Sequence, residues 1–134
     1  MTFLYTVRVY FEDTDAAGVV YHSNYLKFME RARSEWLIAH HIGVKSMINE
    51  HQLVFAVCHT ETNYLRSAKL EELLEVSVKL IELKRASAVF QQVICRNNEV
   101  ICEGITRVAC LTTNALRPRP IPTAIHAQLQ LLMS

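Results

Sequence analysis

Residues 9–37 read VYFEDTDAAGVVYHSNYLKFMERARSEWL, a polar loop followed by one face of a helix. In the loop, residues 12–18, acids interrupt the apolar pattern and Gly18 is able to adopt a positive φ. After the loop, apolar side chains recur at helical spacing, namely Tyr25, Phe28, Met29, Ala32 and Trp36. This spacing predicts an amphipathic helix from about His22 to about His40.

Alternating apolar and polar residues predict one strand before this helix and four strands after it. The predicted strands cover approximately residues 3–11, 53–65, 74–80, 88–95 and 100–112. Asn97 and Asn98 predict a tight hairpin turn between the last two strands. Prolines within residues 117–122 end the sheet, and residues 123–134 are predicted to form a short terminal helix.

This element order predicts a single domain over residues 1–134 with an α+β architecture, in which one helix covers one face of an antiparallel sheet. The open edges of such a sheet favour pairing with a second copy, so we expect at least a dimer.

Composition excludes several classes of protein. Hydrophobic residues make up 51% of the 134 residues, which is typical of a globular chain. The net charge is +1, with 14 basic and 13 acidic residues, so no overall field attracts nucleic acid. No run of about 18 apolar residues predicts a membrane span, and the N-terminus lacks the pattern of a signal peptide. The sequence therefore predicts a cytoplasmic protein.

An acid ahead of the helix suggests chemistry. Asp15 lies seven residues before His22, where the helix opens. The first amides of a helix lack intrahelical acceptors and can bind a carbonyl oxygen that becomes an oxyanion. A nearby carboxylate can attack that carbonyl or activate water. The same residue types fit a simpler interpretation, in which Asp13 or Asp15 only caps the helix or the turn. His22, Ser23 and Asn24 offer further capping side chains.

Four runs of sequence resemble a family signature. Residues 9–15, 18–22, 24–26 and 30–33 are similar to the signature of the hotdog-fold thioesterases. The similarity is closest to the 4-hydroxybenzoyl-CoA thioesterase branch and its YbgC-type members, which are associated with the Tol–Pal system, and it covers nearly the whole chain. It implies an antiparallel sheet wrapped around a long central helix, and homodimers or homotetramers joined through sheet edges. Phe11 departs from the pattern, because similar proteins carry a tyrosine there.

The resemblance implies roles for individual residues. Asp15 would be the catalytic carboxylate, as nucleophile or general base, and Asp13 would be structural. An amide near His22 would polarise the thioester carbonyl, and the His22 imidazole would orient substrate or water. Gly18 and Tyr25 would border the substrate, although Tyr25 on the apolar stripe is equally suited to the core. This chemistry requires no metal or cofactor.

Basic residues at a predicted strand end suggest a second contact. The resemblance implies that Lys84, Arg85 and Ser87 contact the phosphates of CoA at a subunit boundary, and paired cations suit that role. The alternative interpretation is a solvated hairpin tip. His40, His41 and His51 do not have the spacing of metal ligands.

Two functional hypotheses follow. The first is an acyl-CoA thioesterase that releases a free acid and CoA. The alternative is a scaffold or binding protein at the inner membrane that recruits acyl carrier protein or lipid-synthesis enzymes. A hotdog hydratase is disfavoured, because its second motif is not found. The identity of the acyl group is not indicated by the sequence.

Overall fold

The computed structural model describes residues 3–133, which form one antiparallel sheet and three α-helices. The elements in chain order are β1 (Phe3–Arg8), a 3-10 turn (Phe11–Asp13), α1 (His22–Ala39), α2 (Val44–His51), β2 (Leu53–Tyr64), β3 (Leu73–Leu83), β4 (Ser87–Arg96), β5 (Glu99–Thr112) and α3 (Thr123–Leu131). The five strands lie in the order β1-β3-β4-β5-β2. The predicted α+β hotdog architecture is confirmed, with α1 packed against the sheet.

The apolar stripe of α1 forms the centre of the core. Phe28, Met29, Ala32 and Trp36 are all buried, and the Trp36 ring meets the Phe90 ring of β4 edge-on at 5.5 Å between centroids. A Cβ atom on Gly104 of β5 would lie 2.8 Å from Sδ of Met29. Because Gly104 has no side chain, α1 approaches the sheet closely at this position.

Three local features of the structure differ from what the sequence predicted. β1 ends at Arg8 rather than near Phe11, because the chain turns into the 3-10 turn. α2 was not predicted, since its eight residues bury little besides Met47. The capping prediction for the start of α1 is wrong. Tyr21 is the N-cap residue and no side chain caps the helix.

The turn between β4 and β5 and the C-terminal helix match the sequence prediction more closely. Asn97 and Asn98 have φ values of 49° and 67°, the left-handed conformation of a tight hairpin turn. α3 follows the prolines and docks on the body of the protein through Leu129, which is 1% exposed. No helix within residues 3–133 has both the length and the apolar character needed to cross a bilayer.

The edges of the sheet are β1 and β2, and β2 is the longer of the two with 12 residues. Its register shifts between Val57 and His59, and residues 57–61 are exposed. One side of this strand therefore presents main-chain groups that pair with no other strand among residues 3–133.

Candidate active site

Asp15 lies in a tight loop that is anchored at the start of α1. Thr14 pairs with Val20 in an isolated antiparallel bridge, so the loop returns to the chain just before the helix. Within it, the Asp15 amide donates to the Val19 carbonyl at 2.9 Å and the Gly18 amide donates to the Asp15 carbonyl at 3.0 Å. Gly18 has a φ of 81°, the left-handed conformation that glycine adopts without strain.

The Asp15 carboxylate is exposed, and one of its two oxygens is hydrogen-bonded within the turn. Its Oδ1 accepts a hydrogen bond from the Ala17 amide at 2.8 Å, while Oδ2 accepts none from the described residues. The turn-capping interpretation is therefore correct for one oxygen. The second oxygen is open to a ligand.

Asp13 has the opposite environment, because it is only 4% exposed. Its Oδ2 accepts from the Tyr10 amide at 2.8 Å and its Oδ1 accepts from Nδ2 of Asn24 at 2.9 Å. The Asp13 main-chain oxygen also accepts from the Tyr21 amide at 2.9 Å. The carboxylate thus joins the 3-10 turn to the first turn of α1, which is a structural task.

The first two amides of α1 are available at the helix start. Asn24 donates to the Tyr21 carbonyl at 2.8 Å, whereas the amides of His22 and Ser23 donate to no acceptor within residues 3–133. Unpaired amides at this end of a helix carry the positive end of its dipole. They are suited to binding an oxyanion that forms beside the Asp15 loop.

The His22 ring is exposed and stands in an aromatic cluster. Its centroid lies 4.5 Å from that of Tyr21 and 6.2 Å from that of Tyr64, which meets it edge-on. Tyr64 comes from the far end of β2, and burial raises its pKa, as does the charge of Cys102 to a smaller extent. Tyr64 was not among the predicted site residues, because its position beside His22 depends on how β2 packs on α1.

Tyr25 lies in the core directly below this cluster. It is 3% exposed, and its hydroxyl accepts a hydrogen bond from the Ala68 amide at 3.0 Å. Burial raises the pKa of Tyr25, and the hydrogen bond from Ala68 opposes that shift. The core interpretation of Tyr25 agrees with this geometry. Its predicted contact with substrate stays a prediction.

Tyr25→Phe is expected to lower the free energy of unfolding by about 1–3 kcal/mol, because the buried Ala68 amide loses its acceptor. Urea unfolding measures this change. Tyr64→Phe is the matched control, since the Tyr64 hydroxyl makes no hydrogen bond within residues 3–133, and it is expected to change stability by less than about 0.5 kcal/mol. Equal losses in both variants would show that the Ala68 contact is unimportant.

The predicted basic contact lies at the turn between β3 and β4. Lys84 and Arg85 are exposed and form no ion pair in the part of the chain that the structure describes. The Lys84 amide donates to the Ser87 carbonyl at 2.8 Å, and the Ser87 hydroxyl accepts from Nη1 of Arg107 at 3.4 Å. The structure therefore holds Lys84, Arg85 and Ser87 in one turn, although the Ser87 hydroxyl is engaged by Arg107.

An open cleft of about 570 Å³ separates this turn from α3. Lys84 and Arg85 line one side, and Thr123, His126 and Gln130 line the other. No acidic residue among those described lines the cleft, so Lys84 and Arg85 lie opposite the N-terminal turn of α3 without a neutralising carboxylate. Sequence reasoning missed Thr123 and His126, because only the docking of α3 places them opposite the turn.

The acidic loop and the basic cleft are at opposite ends of the sheet. The Val9 amide donates to the Glu72 carbonyl, which places the Asp15 loop near the start of β3, while Lys84 follows its end. β3 has 11 residues. At about 3.3 Å per residue its ends are roughly 35 Å apart. A single chain therefore does not bring Asp15 and Lys84 into one site.

No group of three or more histidine, cysteine, aspartate or glutamate side chains within residues 3–133 is arranged to hold a metal ion. The groups that the structure offers at the helix start are a carboxylate, two amides and an imidazole. Together they can polarise a carbonyl and deliver a nucleophile to it.

Comparisons with known proteins agree with this chemistry. The acyl-CoA thioesterase YbgC of Haemophilus influenzae is 39% identical over 125 residues, which cover 93% of this chain and 92% of that protein. The acyl-CoA thioester hydrolase YbgC of Escherichia coli O6:H1 is 36% identical over 127 residues, covering 94% of each. A probable thioesterase from Bartonella henselae superimposes with a TM-score of 0.87 at 30% identity, covering 91% of this chain and all of that one.

The family model of the thioesterase-like superfamily matches residues 9–129. The resemblance inferred from the sequence is thereby confirmed for the fold and for the YbgC-type relatives. The chain belongs to the thioesterase-like superfamily and is a thioester hydrolase of the hotdog fold.

Proposed function

We propose that this protein hydrolyses acyl-CoA thioesters to a free acid and CoA, with Asp15 as the catalytic carboxylate. The observation that carries the proposal is the free Oδ2 of Asp15 in a loop anchored beside two unpaired amides of α1. The thioester carbonyl would accept from the amides of His22 and Ser23. That contact stabilises the negative charge that develops on the carbonyl oxygen when the carbon is attacked.

This arrangement is suited to two balanced routes of thioester hydrolysis. In the first, Asp15 attacks the carbonyl carbon, the thiolate of CoA leaves, and water then hydrolyses the mixed anhydride. In the second, Asp15 takes a proton from water, and the resulting hydroxide attacks the carbonyl while the thiolate leaves. A single turnover in ¹⁸O-labelled water separates them. In the second route every molecule of the product acid carries label from water. In the first route, with water attacking the aspartyl carbonyl of the anhydride, the label enters Asp15 and the product acid receives unlabelled oxygen from it.

The free face of the His22 ring fits a supporting role in either route. The ring is exposed, and it forms no hydrogen bond within residues 3–133, so both nitrogens are available to water or substrate. The rings of Tyr21 and Tyr64 flank the imidazole. His22 is a candidate for orienting the attacking group.

The proposed enzyme is a dimer whose subunits share their sites. Pairing of two β2 edges about a two-fold axis runs the strands in opposite directions. The end of one sheet that holds Asp15 then lies beside the opposite end of its partner. Within one chain the Asp15 loop lies near the start of β3 and Lys84 follows its end, so roughly 35 Å of strand separates these regions. That separation is the reason for placing Lys84 of the partner subunit near the substrate.

The basic cleft is a suitable place for the phosphates of CoA. Lys84 and Arg85 lack acidic partners in the described chain, and phosphate groups bind such cations through charge-assisted hydrogen bonds. The two YbgC proteins named above act on acyl-CoA, and CoA carries several phosphates. The proposed contacts of Gly18 and Tyr25 lie at the other end, near the acyl group.

The decisive experiment is a hydrolysis assay with acyl-CoA esters of increasing chain length and one aromatic ester. Turnover of at least one ester by the wild type supports the proposal and identifies the acyl preference. The alternative role as a scaffold near the inner membrane, with acyl carrier protein or lipid-synthesis enzymes as partners, predicts stable capture of those proteins without turnover. The Tol–Pal association and the cytoplasmic location stay predictions from the sequence.

A further inference from the structure

A buried arginine on α1 has no anionic partner in residues 3–133. Arg33 is 9% exposed, and its Nη1 donates to Oε1 of Gln92 on β4 at 2.9 Å. Gln92 is itself 1% exposed and donates from Nε2 to the Met29 carbonyl at 2.9 Å. None of the described carboxylates forms an ion pair with Arg33. The hydrogen-bond acceptor of this buried cation is therefore a neutral side-chain amide.

The guanidinium has donors to spare. It carries five N–H groups, and Gln92 is its one hydrogen-bond acceptor within the described chain. Burial lowers the pKa of Arg33, and the charge of Glu30, one turn earlier, opposes that shift. Glu30 is exposed and its Oε1 instead accepts from the Ser34 hydroxyl at 3.0 Å. Buried charges in proteins are normally paired, so the environment of Arg33 is suited to an anion.

A cavity of about 100 Å³ opens next to this guanidinium. Arg33, Glu30 and Ser34 form its polar side. Its interior is apolar, with walls that include Leu37, Met47, Phe90, Val108 and Leu129. The cavity therefore has the Arg33 cation at one side, together with the Glu30 carboxylate that the Ser34 hydroxyl engages, and hydrocarbon on the others. The free donors of Arg33 beside an apolar interior suit an amphipathic anion rather than an inorganic one.

The dimensions of the cavity limit the size of that anion. At about 30 Å³ per water-sized group, it has room for roughly three carbon atoms. A guanidinium pairs with a carboxylate through two parallel hydrogen bonds, for which Arg33 has free donors. We propose that Arg33 and this cavity bind a short-chain monocarboxylate, with the carboxylate on the guanidinium and the alkyl tail in the cavity.

The binding site is separate from the proposed catalytic loop. Arg33 follows His22 by 11 residues on α1, which corresponds to roughly 16 Å along the helix axis. A carboxylic acid is also the product class of thioester hydrolysis. The inference does not depend on hydrolysis, because binding of the acid is measured without turnover.

Isothermal titration calorimetry with sodium butyrate, at constant ionic strength, tests the proposal. Butyrate is expected to bind with a Kd about tenfold lower than that of acetate, because two more methylene groups enter the cavity. Butyramide has the same shape without the charge, and it is expected to bind at least about tenfold more weakly than butyrate. Equal affinity for butyrate and butyramide, or no butyrate binding at all, would overturn the proposal.

Variants locate the site. Arg33→Gln is expected to weaken butyrate binding at least about tenfold, whereas the control Arg31→Gln, at an exposed position of the same helix, leaves binding unchanged. Asp15→Asn should also bind butyrate normally, so loss of hydrolysis and loss of this site are distinguishable. If Arg33→Gln does not fold, the comparison of the three ligands still decides. If Arg33→Gln instead weakens dimerisation and butyrate does not bind, a carboxylate of a second subunit is the partner and the proposal is wrong.

Discussion

Asp15→Asn is expected to lower kcat for acyl-CoA hydrolysis by about 10³-fold or more, because an amide is neither a nucleophile nor a base. The fold should be retained. The asparagine keeps the oxygen that accepts from the Ala17 amide, so the turn that presents the side chain is preserved. Steady-state kinetics with the best acyl-CoA ester, together with circular dichroism, measure the two effects separately.

Asp13→Asn is the matched control for this prediction. Both Asp13 oxygens accept from N–H donors in a buried site, so the new NH₂ group must face a donor. We expect a loss of about 1–3 kcal/mol in unfolding free energy but a small change in kcat for the folded variant. Wild-type kcat in Asp15→Asn, or an equally large loss of kcat in folded Asp13→Asn, would contradict the assignment of Asp15.

At substrate concentrations well below the wild-type KM, mixed dimers are expected to recover activity that neither parent has. One parent is Asp15→Asn, and the other carries Lys84→Gln and Arg85→Gln, which should raise KM by removing two phosphate-binding charges. If each site combines Asp15 of one subunit with the basic cleft of its partner, each mixed dimer contains one intact site. Random exchange in a 1:1 mixture makes half of the dimers mixed, so activity should reach about a quarter of the wild-type level.

Subunit exchange must be verified for this experiment. Native mass spectrometry of differently tagged subunits gives the fraction of mixed dimers, and the separate parents give the baseline. Activity equal to the average of the parents, in a sample that contains mixed dimers, would show that each site is built within one chain.

Thr60→Pro in the exposed part of β2 should prevent the proposed edge pairing and leave monomers, which size-exclusion chromatography detects.

The main features of the fold could be predicted because their signals are local. Tyr25, Phe28, Met29, Ala32 and Trp36 recur at helical spacing, and every one of them is buried on α1. Strand alternation located β2 to β5 within a few residues. Gly18 and the Asn97–Asn98 pair adopt the positive φ values that their residue types favour. Each of these features follows from the conformational preference or the periodicity of a short segment.

Other features could not be predicted because they depend on which segments meet. Asn24 was expected to offer a capping side chain for α1, but its Nδ2 donates to Oδ1 of Asp13, which the 3-10 turn brings near. His126 and Lys84 face the same cleft only because α3 docks beside the β3–β4 turn. In the sequence, Arg33 resembled an exposed charge on an amphipathic helix. Its burial depends on packing against β4, where Gln92, 59 residues later, accepts its hydrogen bond.

The sequence by itself determined the loop, the helix and the alternating strands, since backbone preferences and apolar periodicity act over a few residues. The spacing along the chain and the family resemblance also indicated Asp15 and His22 as candidate site residues, and their catalytic roles stay predictions. Only the tertiary structure decided that Oδ2 of Asp15 is free while Asp13 is buried, and that the basic cleft lies at the far end of the sheet. Those outcomes depend on distances between segments that are remote in sequence, and packing of α1 on the sheet sets these distances.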